Sequence, residues 1–153
     1  MSVMSTLNVS ASGMTAQRTR MDIIAQNIAN VNTTRTEDGT PYVRQTVTFA
    51  ERSGDNTNFQ KALSSAQTGV KDRKNIGNGV KITSIVEDHV TSMKKVYDPS
   101  HPDADEEGYV TYPNVDTVTE MTNLIDANRS YEANVTAFNA TKSMLMKAMD
   151  IGK

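Results

Sequence analysis

The sequence predicts an α+β fold in which long N- and C-terminal α-helices pair as a coiled-coil-like helical hairpin, with a small β-rich middle domain between them. Three observations predict it. Apolar residues recur every seven positions at both ends, as Leu7, Met14, Met21 and Ile28 and again as Leu124, Tyr131, Phe138 and Leu145. Between residues 42 and 112 several short β-branched runs replace that period, the first alternating in twos. Gly, Asn, Ser and charge gather at 51–78 and separate the first of these runs from the rest. The expected organisation is residues 1–35 as the N-terminal helix, 36–112 as the middle domain with a long excursion at 51–78, and 113–153 as the C-terminal helix.

The first helix is expected from Ser5 to about Val31. Beside its apolar row runs a second, half polar, of Ser10, Gln17, Ile24 and Val31. Such a stripe suits a narrow seam against other helices better than a broad core face. Gly13 inside it costs roughly 1 kcal/mol of helix propensity, which signals a close neighbour. The helix ends in "IAQNIANVNT" (24–33), with Asn27, Asn30 and Asn32. Asparagine is a poor helix-interior residue because its amide competes for the backbone's hydrogen bonds. It can end a helix by turning left-handed, its amide bonding to backbone groups that have lost their partners.

The second helix is expected from Val118 to Met149, its row flanked by Met121, Asn128, Val135, Lys142 and Met149. Asp116 or Thr117 can cap it, Glu120 suits the positive end of the helix dipole, and Gly152 is a stop. The two helices would run about 40 and about 48 Å, and polar residues interrupt both seams. Packing must therefore supply most of their stability.

In the middle, "YVRQTVTFA" (42–50) places Val43, Val47 and Phe49 on one face and Arg44, Thr46 and Thr48 on the other, a half-buried strand. "GVKITSIVE" (79–87), "VTSMKKVY" (90–97) and "YVTY" (109–112) read as three more strands, and "FQKALSSA" as a helical turn within the excursion.

Composition narrows the chemistry. With 37% hydrophobic residues, 5% aromatic residues and no Trp, the core is thin. A net charge of −2 with no basic stripe argues against nucleic acid as a partner. The absence of cysteine removes disulfides, thiolate nucleophiles and cysteine-based zinc sites. No apolar run is long enough to span a membrane, and the N-terminus has no signal-peptide core, so no cleavable signal is expected. The loop "YDPSHPDADEEGY" (97–109) offers carboxylates at the alternate positions of a calcium loop, Asp103, Asp105 and Glu107, but the twelfth position of that frame is Asn114 rather than a bidentate Glu. The plainer reading is a solvated loop stiffened by Pro99 and Pro102. His89 and His101 lie beside no nucleophile in sequence, and "GNG" (77–79) reads as a turn rather than a dinucleotide fingerprint. No catalytic residue, metal site or cofactor is expected. Met14, Met21, Met121, Met144, Met146 and Met149 lie on the two helices, where thioether flexibility suits surfaces that repack against neighbours.

"SASGMTAQRTRMDIIAQNIANVNT" (10–33) and "IDANRSYEANVTAFNATKSM" (125–144) resemble the paired terminal motifs of the flagellar rod and hook family of axial proteins. "PYVRQTVTF" (41–49), "YDPSHPDADEEGYVTYPNVD" (97–116) and the short length are similar to its proximal-rod branch. The resemblance implies a structural, non-enzymatic subunit of the bacterial basal body. It would be exported unfolded through the flagellar type III apparatus without a cleavable signal peptide and built into a torque-carrying rod. The implied partners are further copies of itself, proximal rod proteins such as FlgB and FlgF, a distal rod protein, and the export apparatus. Inner-tube contacts are implied for Leu7, Met14, Met21, Ile24, Ile28, Leu124, Tyr131, Val135, Phe138 and Leu145. Asn27, Asn30, Asn32 and Thr33 match the N-terminal family motif, and Tyr131, Ala133 and Asn134 the C-terminal one. The alternative is a soluble coiled-coil adaptor that forms a closed oligomer through the same heptads.

Overall fold

The computed structural model describes residues 3–52 and 78–151. The order is α1 (Val3–Ala29), β1 (Gln45–Glu51), β2 (Val80–Glu87), β3 (Lys94–Tyr97), β4 (Tyr109–Tyr112) and α2 (Thr117–Ile151). The helical turn expected at "FQKALSSA" and the stop expected at Gly152 lie outside the described residues.

The two helices pair antiparallel: Asn27 meets Glu120, Gly13 meets Asn134, and Thr6 lies beside Thr141 and Leu145. On α2 the expected row of Leu124, Tyr131, Phe138 and Leu145 is half-buried. Its companion row is Glu120, Ala127, Asn134 and Thr141, not the row beginning at Met121. Met121, Asn128, Lys142 and Met149 are exposed, and only Val135 of that expected row is half-buried. Side-chain size supplies the reason. Ala127, Asn134 and Thr141 are small enough to let the helices approach, and Gly13 faces Asn134 so closely that an added Cβ would lie 2.8 Å from its Oδ1. On α1 the half-polar row is the deeper one in part: Ser10 and Ile24 are buried with Ala16, Ile23 and Asn27, while Leu7, Met14, Met21 and Ile28 are half-buried.

Asp116 caps α2, its Oδ2 accepting from the Thr119 amide at 3.2 Å and the Thr119 hydroxyl at 2.5 Å. The strands form two antiparallel pairs. β1 lies against β2 from Gln45↔Glu87 to Glu51↔Val80, with a register shift between Thr48 and Phe49 that blurs the expected alternation. β3 lies against β4 from Lys94↔Tyr112 to Tyr97↔Tyr109. β3 is shorter than the expected 90–97, because Asp88 Oδ1 accepts from the amides of Val90 and Thr91 and turns the chain there. The β1–β2 pair packs on α1, where the Ser12 hydroxyl oxygen accepts from the Val80 amide at 3.1 Å. Gly79, at φ +89, keeps clear the space that Ser12 occupies.

Replacing a helix-interior glycine by alanine ordinarily gains about 1 kcal/mol. Gly13→Ala is expected to forfeit that gain against Asn134, and adding Asn134→Ala is expected to restore it, as read by thermal unfolding of the purified chain. Full recovery of the gain by Gly13→Ala alone would contradict the close packing.

Candidate functional site

The chain comes off α1 in a turn that its asparagines organise. Asn30 Nδ2 donates to the Gln26 carbonyl at 2.9 Å, and the Thr33 hydroxyl donates to Asn30 Oδ1 at 3.1 Å. Among the described residues no non-glycine has a positive φ, so the left-handed asparagine expected here is replaced by a different device. The Asn30 side-chain amide gives the Gln26 carbonyl a second donor beside the Asn30 backbone N–H, which donates to it at 3.1 Å, and no strained backbone is required. Asn32 is exposed.

Asn27, one turn earlier, is 1% exposed and uses all its hydrogen-bonding capacity. Its Nδ2 donates to the Gln45 carbonyl at 2.8 Å and to Glu120 Oε2 at 3.0 Å. Its Oδ1 accepts from the Tyr42 hydroxyl and from the Gln45 amide, each at 2.9 Å. One side chain thus ties the end of α1 to the entry of β1 and to the first turn of α2.

Glu120 is equally buried and carries the next connection. Its Oε1 accepts from Arg44 Nε at 3.0 Å and Nη2 at 2.7 Å, a charge-assisted fork. Arg44 Nη1 reaches Asp88 Oδ2 at 3.4 Å. Burial alone would lower the pKa of the guanidinium, but the bonds and charges of Glu120 and Asp88 outweigh it and hold Arg44 above its usual range. The Tyr42 phenol is also raised, first by burial and then by the charges of Glu120 and Glu87, so it stays protonated to donate to Asn27. Asn114 closes the circuit: its Oδ1 accepts from the Arg44 amide at 2.9 Å, and its Nδ2 donates to the carbonyls of Asp88 at 2.6 Å and Thr91 at 3.2 Å. The end of α1, the start of β1, the β2–β3 link and the β4–α2 link therefore meet at one polar junction.

The acidic loop is folded on itself. Asp98 accepts from Ser100, Asp105 Oδ1 accepts from the amides of Glu107 and Tyr109, and Asp103 accepts from the Thr34 hydroxyl at 2.7 Å. The carboxylates spaced like calcium ligands are thus partly engaged in turns and in the contact with Thr34. Among the described residues no three acidic or histidine side chains are placed to hold a metal ion. His101 Nδ1 accepts from the Asp103 amide, and His89 is exposed beside Glu87.

The ten residues implied as inner-tube contacts are buried (Ile24) or half-buried (the other nine) within a single chain. Of the motif residues, Asn27 is central to the junction, Asn30 and Thr33 form the exit turn, Asn134 packs on Gly13, and Ala133 is exposed. Tyr42, Arg44, Asp88, Asn114 and Glu120 were not expected as site residues. The available signal was Glu120, which keeps heptad step with Ala127, Asn134 and Thr141: a carboxylate in a seam position demands a partner.

Residues 7–35 match the family described as flagella basal body rod protein, and residues 106–151 match the C-terminal part of the flagellar basal body rod FlgEFG proteins. The chain is 48% identical to flagellar basal-body rod protein FlgC of Bacillus subtilis, with all of both chains covered. It is 45% identical to FlgC of Borreliella burgdorferi over 99% of this chain and 98% of that one. It is 36% identical to FlgC of Escherichia coli O6:H1, again over the whole of both chains.

Breaking a buried ion pair by removing one partner typically costs 3–5 kcal/mol, and Glu120→Gln, which keeps the shape but leaves Arg44 leaning on Asp88 alone, is expected to cost about 2–3 kcal/mol in denaturant unfolding. A cost below about 0.5 kcal/mol, the ordinary surface range, would contradict the junction. The carboxyls of Asp88 and Asp116 lie below their usual values, the first chiefly through Thr91 and the second through Thr119. Their stabilisation is therefore complete above the unfolded value of 3.8 and is lost as pH falls through the lowered folded values. Asp116→Asn, still a good cap, is expected to keep neutral-pH stability and to remove part of that acid loss, as measured by helical circular dichroism against pH.

Proposed function

The chain belongs to the flagellar basal-body rod protein FlgC family and is a structural subunit of the basal-body rod, and from that premise we propose how its junction serves the rod. The paired helices supply the inner-tube layer, residues 36–112 form the outer domain, and the junction of Asn27, Arg44, Asp88, Asn114 and Glu120 fixes the direction in which the second leaves the first. The observation that carries this reading is the fully bonded Asn27, buried where two helices and a strand meet.

A shaft must pass torque between layers without rotating at the joint between them. Apolar packing resists separation but is non-directional. Buried hydrogen bonds and a forked Arg–Glu pair hold angles as well as distances. The subunit performs no catalysis in this reading. It crosses the membrane through the flagellar type III export apparatus without a cleavable signal and joins copies of itself, proximal rod proteins such as FlgB and FlgF, and the distal rod protein. A soluble adaptor is not favoured, since the full-length relatives are named as rod proteins.

The test is genetic complementation of a bacterium lacking its own copy. Asn27→Ala is expected to be exported yet to give few complete basal bodies and little swimming. Asn30→Ala, whose side-chain bonds stay within the exit turn, is expected to be milder. Normal swimming with Asn27→Ala would overturn the proposed role of the junction.

A further inference from the structure

Helix α2 carries two apolar features that the rest of the described chain leaves uncovered. Near its start Val118, Met121 and Ile125 share an outward face and are 73%, 52% and 54% exposed. Near its end Met144, Leu145 and Ala148 form, with Thr6 and Thr141, an open groove of about 270 Å³ at the edge of the helix pair. Between Ile125 and Met144 a helix rises roughly 30 Å. One chain cannot seat its own stripe in its own groove.

Charge divides in the same way. Around the stripe the exposed charges are Asp116, Asp126 and Glu132 against Arg129 and the Lys94 that faces Asp116, and around the groove they are Lys142 and Lys147 against Asp150. The stripe end is therefore net acidic and the groove end net basic, a complementarity that favours one docking orientation over its reverse. Both halves reside on every copy.

We propose that the stripe of one copy docks in the groove of a second copy of this chain, head to tail. The inference rests on the rod reading and names a contact within it. Stripe and groove are different surfaces, so the contact is heterologous and repeats along an open assembly instead of closing as a two-fold dimer. The stripe and the groove residues Met144 and Ala148 are exposed, while Leu145 and Thr141 at the groove floor belong to the rows that the helix pair partly covers within one chain.

The chain has no cysteine, so introduced pairs report without background. Basal bodies are purified from cells expressing Ile125→Cys and Ala148→Cys copies together, oxidised with copper phenanthroline in air, and separated without reductant. A disulfide-linked dimer at least tenfold stronger than in cells expressing either variant alone is expected. If the mixed cells build rods and swim without that dimer, or if Ile125→Cys links equally to itself, the contact is overturned while the rod reading stands. A product with the mass of a different rod protein overturns it as well. If the cysteine variants build no rods, the charges decide: Asp126→Lys and Lys147→Asp should each reduce incorporation, and the two together should restore it. Failure of the pair to restore incorporation overturns the contact. Absence of the unaltered chain from purified basal bodies would be failure of the rod reading itself.

Discussion

The link between the helix pair and the entry of the strands depends on the hydrogen bonds that Asn27 makes to Gln45 and Glu120. They connect groups 18 and 93 residues apart in sequence. Each partner is itself engaged: Glu120 holds Arg44, and Arg44 is held in turn by Asp88 and Asn114. Buried polar groups are costly when unmatched and direction-specific when matched. A junction of this kind can replace a large hydrophobic core as the element that fixes relative placement.

The chain needs such a replacement because its core is small. Among the described residues the buried apolar side chains are Ala16, Ile23, Ile24, Tyr42, Val110, Pro113, Val115 and Ala127. Two two-stranded sheets are marginal by themselves, and β3 is exposed along its length. The strands acquire their setting from α1, through Ser12 and Val80, and from the junction. The long helices in turn have seams interrupted by Ser10, Gln17 and Asn134, and the Gln17 Oε1 is buried with no hydrogen-bond partner among the described residues. That is a seam built for close approach and later company more than for isolated stability.

Much of this was legible in the sequence, because it depends on local period. Heptads placed both helices within two residues of their ends, Asp116 and Thr117 marked the start of α2 as alternative caps, and Gly13 announced a near neighbour. Four strands were recognisable from β-branched runs, though not the truncation of β3, which hangs on Asp88 bonding two amides ahead of itself. The flanking row expected from Met121 was wrong except at Val135, because side-chain size across the seam favours the row of Glu120, Ala127, Asn134 and Thr141. The junction was only half visible. Asn27 stood out as anomalous, but its partners come from segments whose proximity no local pattern encodes, and Arg44 looked like an outward-facing strand residue. An Arg–Glu pair spanning 76 residues is a product of tertiary structure.

The most direct measurement is amide hydrogen exchange, residue by residue, on the monomeric chain. If the junction joins the helix pair and the strands into one unit, the amides of Arg44, Gln45, Asp88 and Glu120 should open together, with a common free energy among the largest in the molecule. Rapid exchange at Arg44 and Gln45 while the amide of Glu120 stays protected would mean that the strands hang independently from the helices, and the account would be wrong.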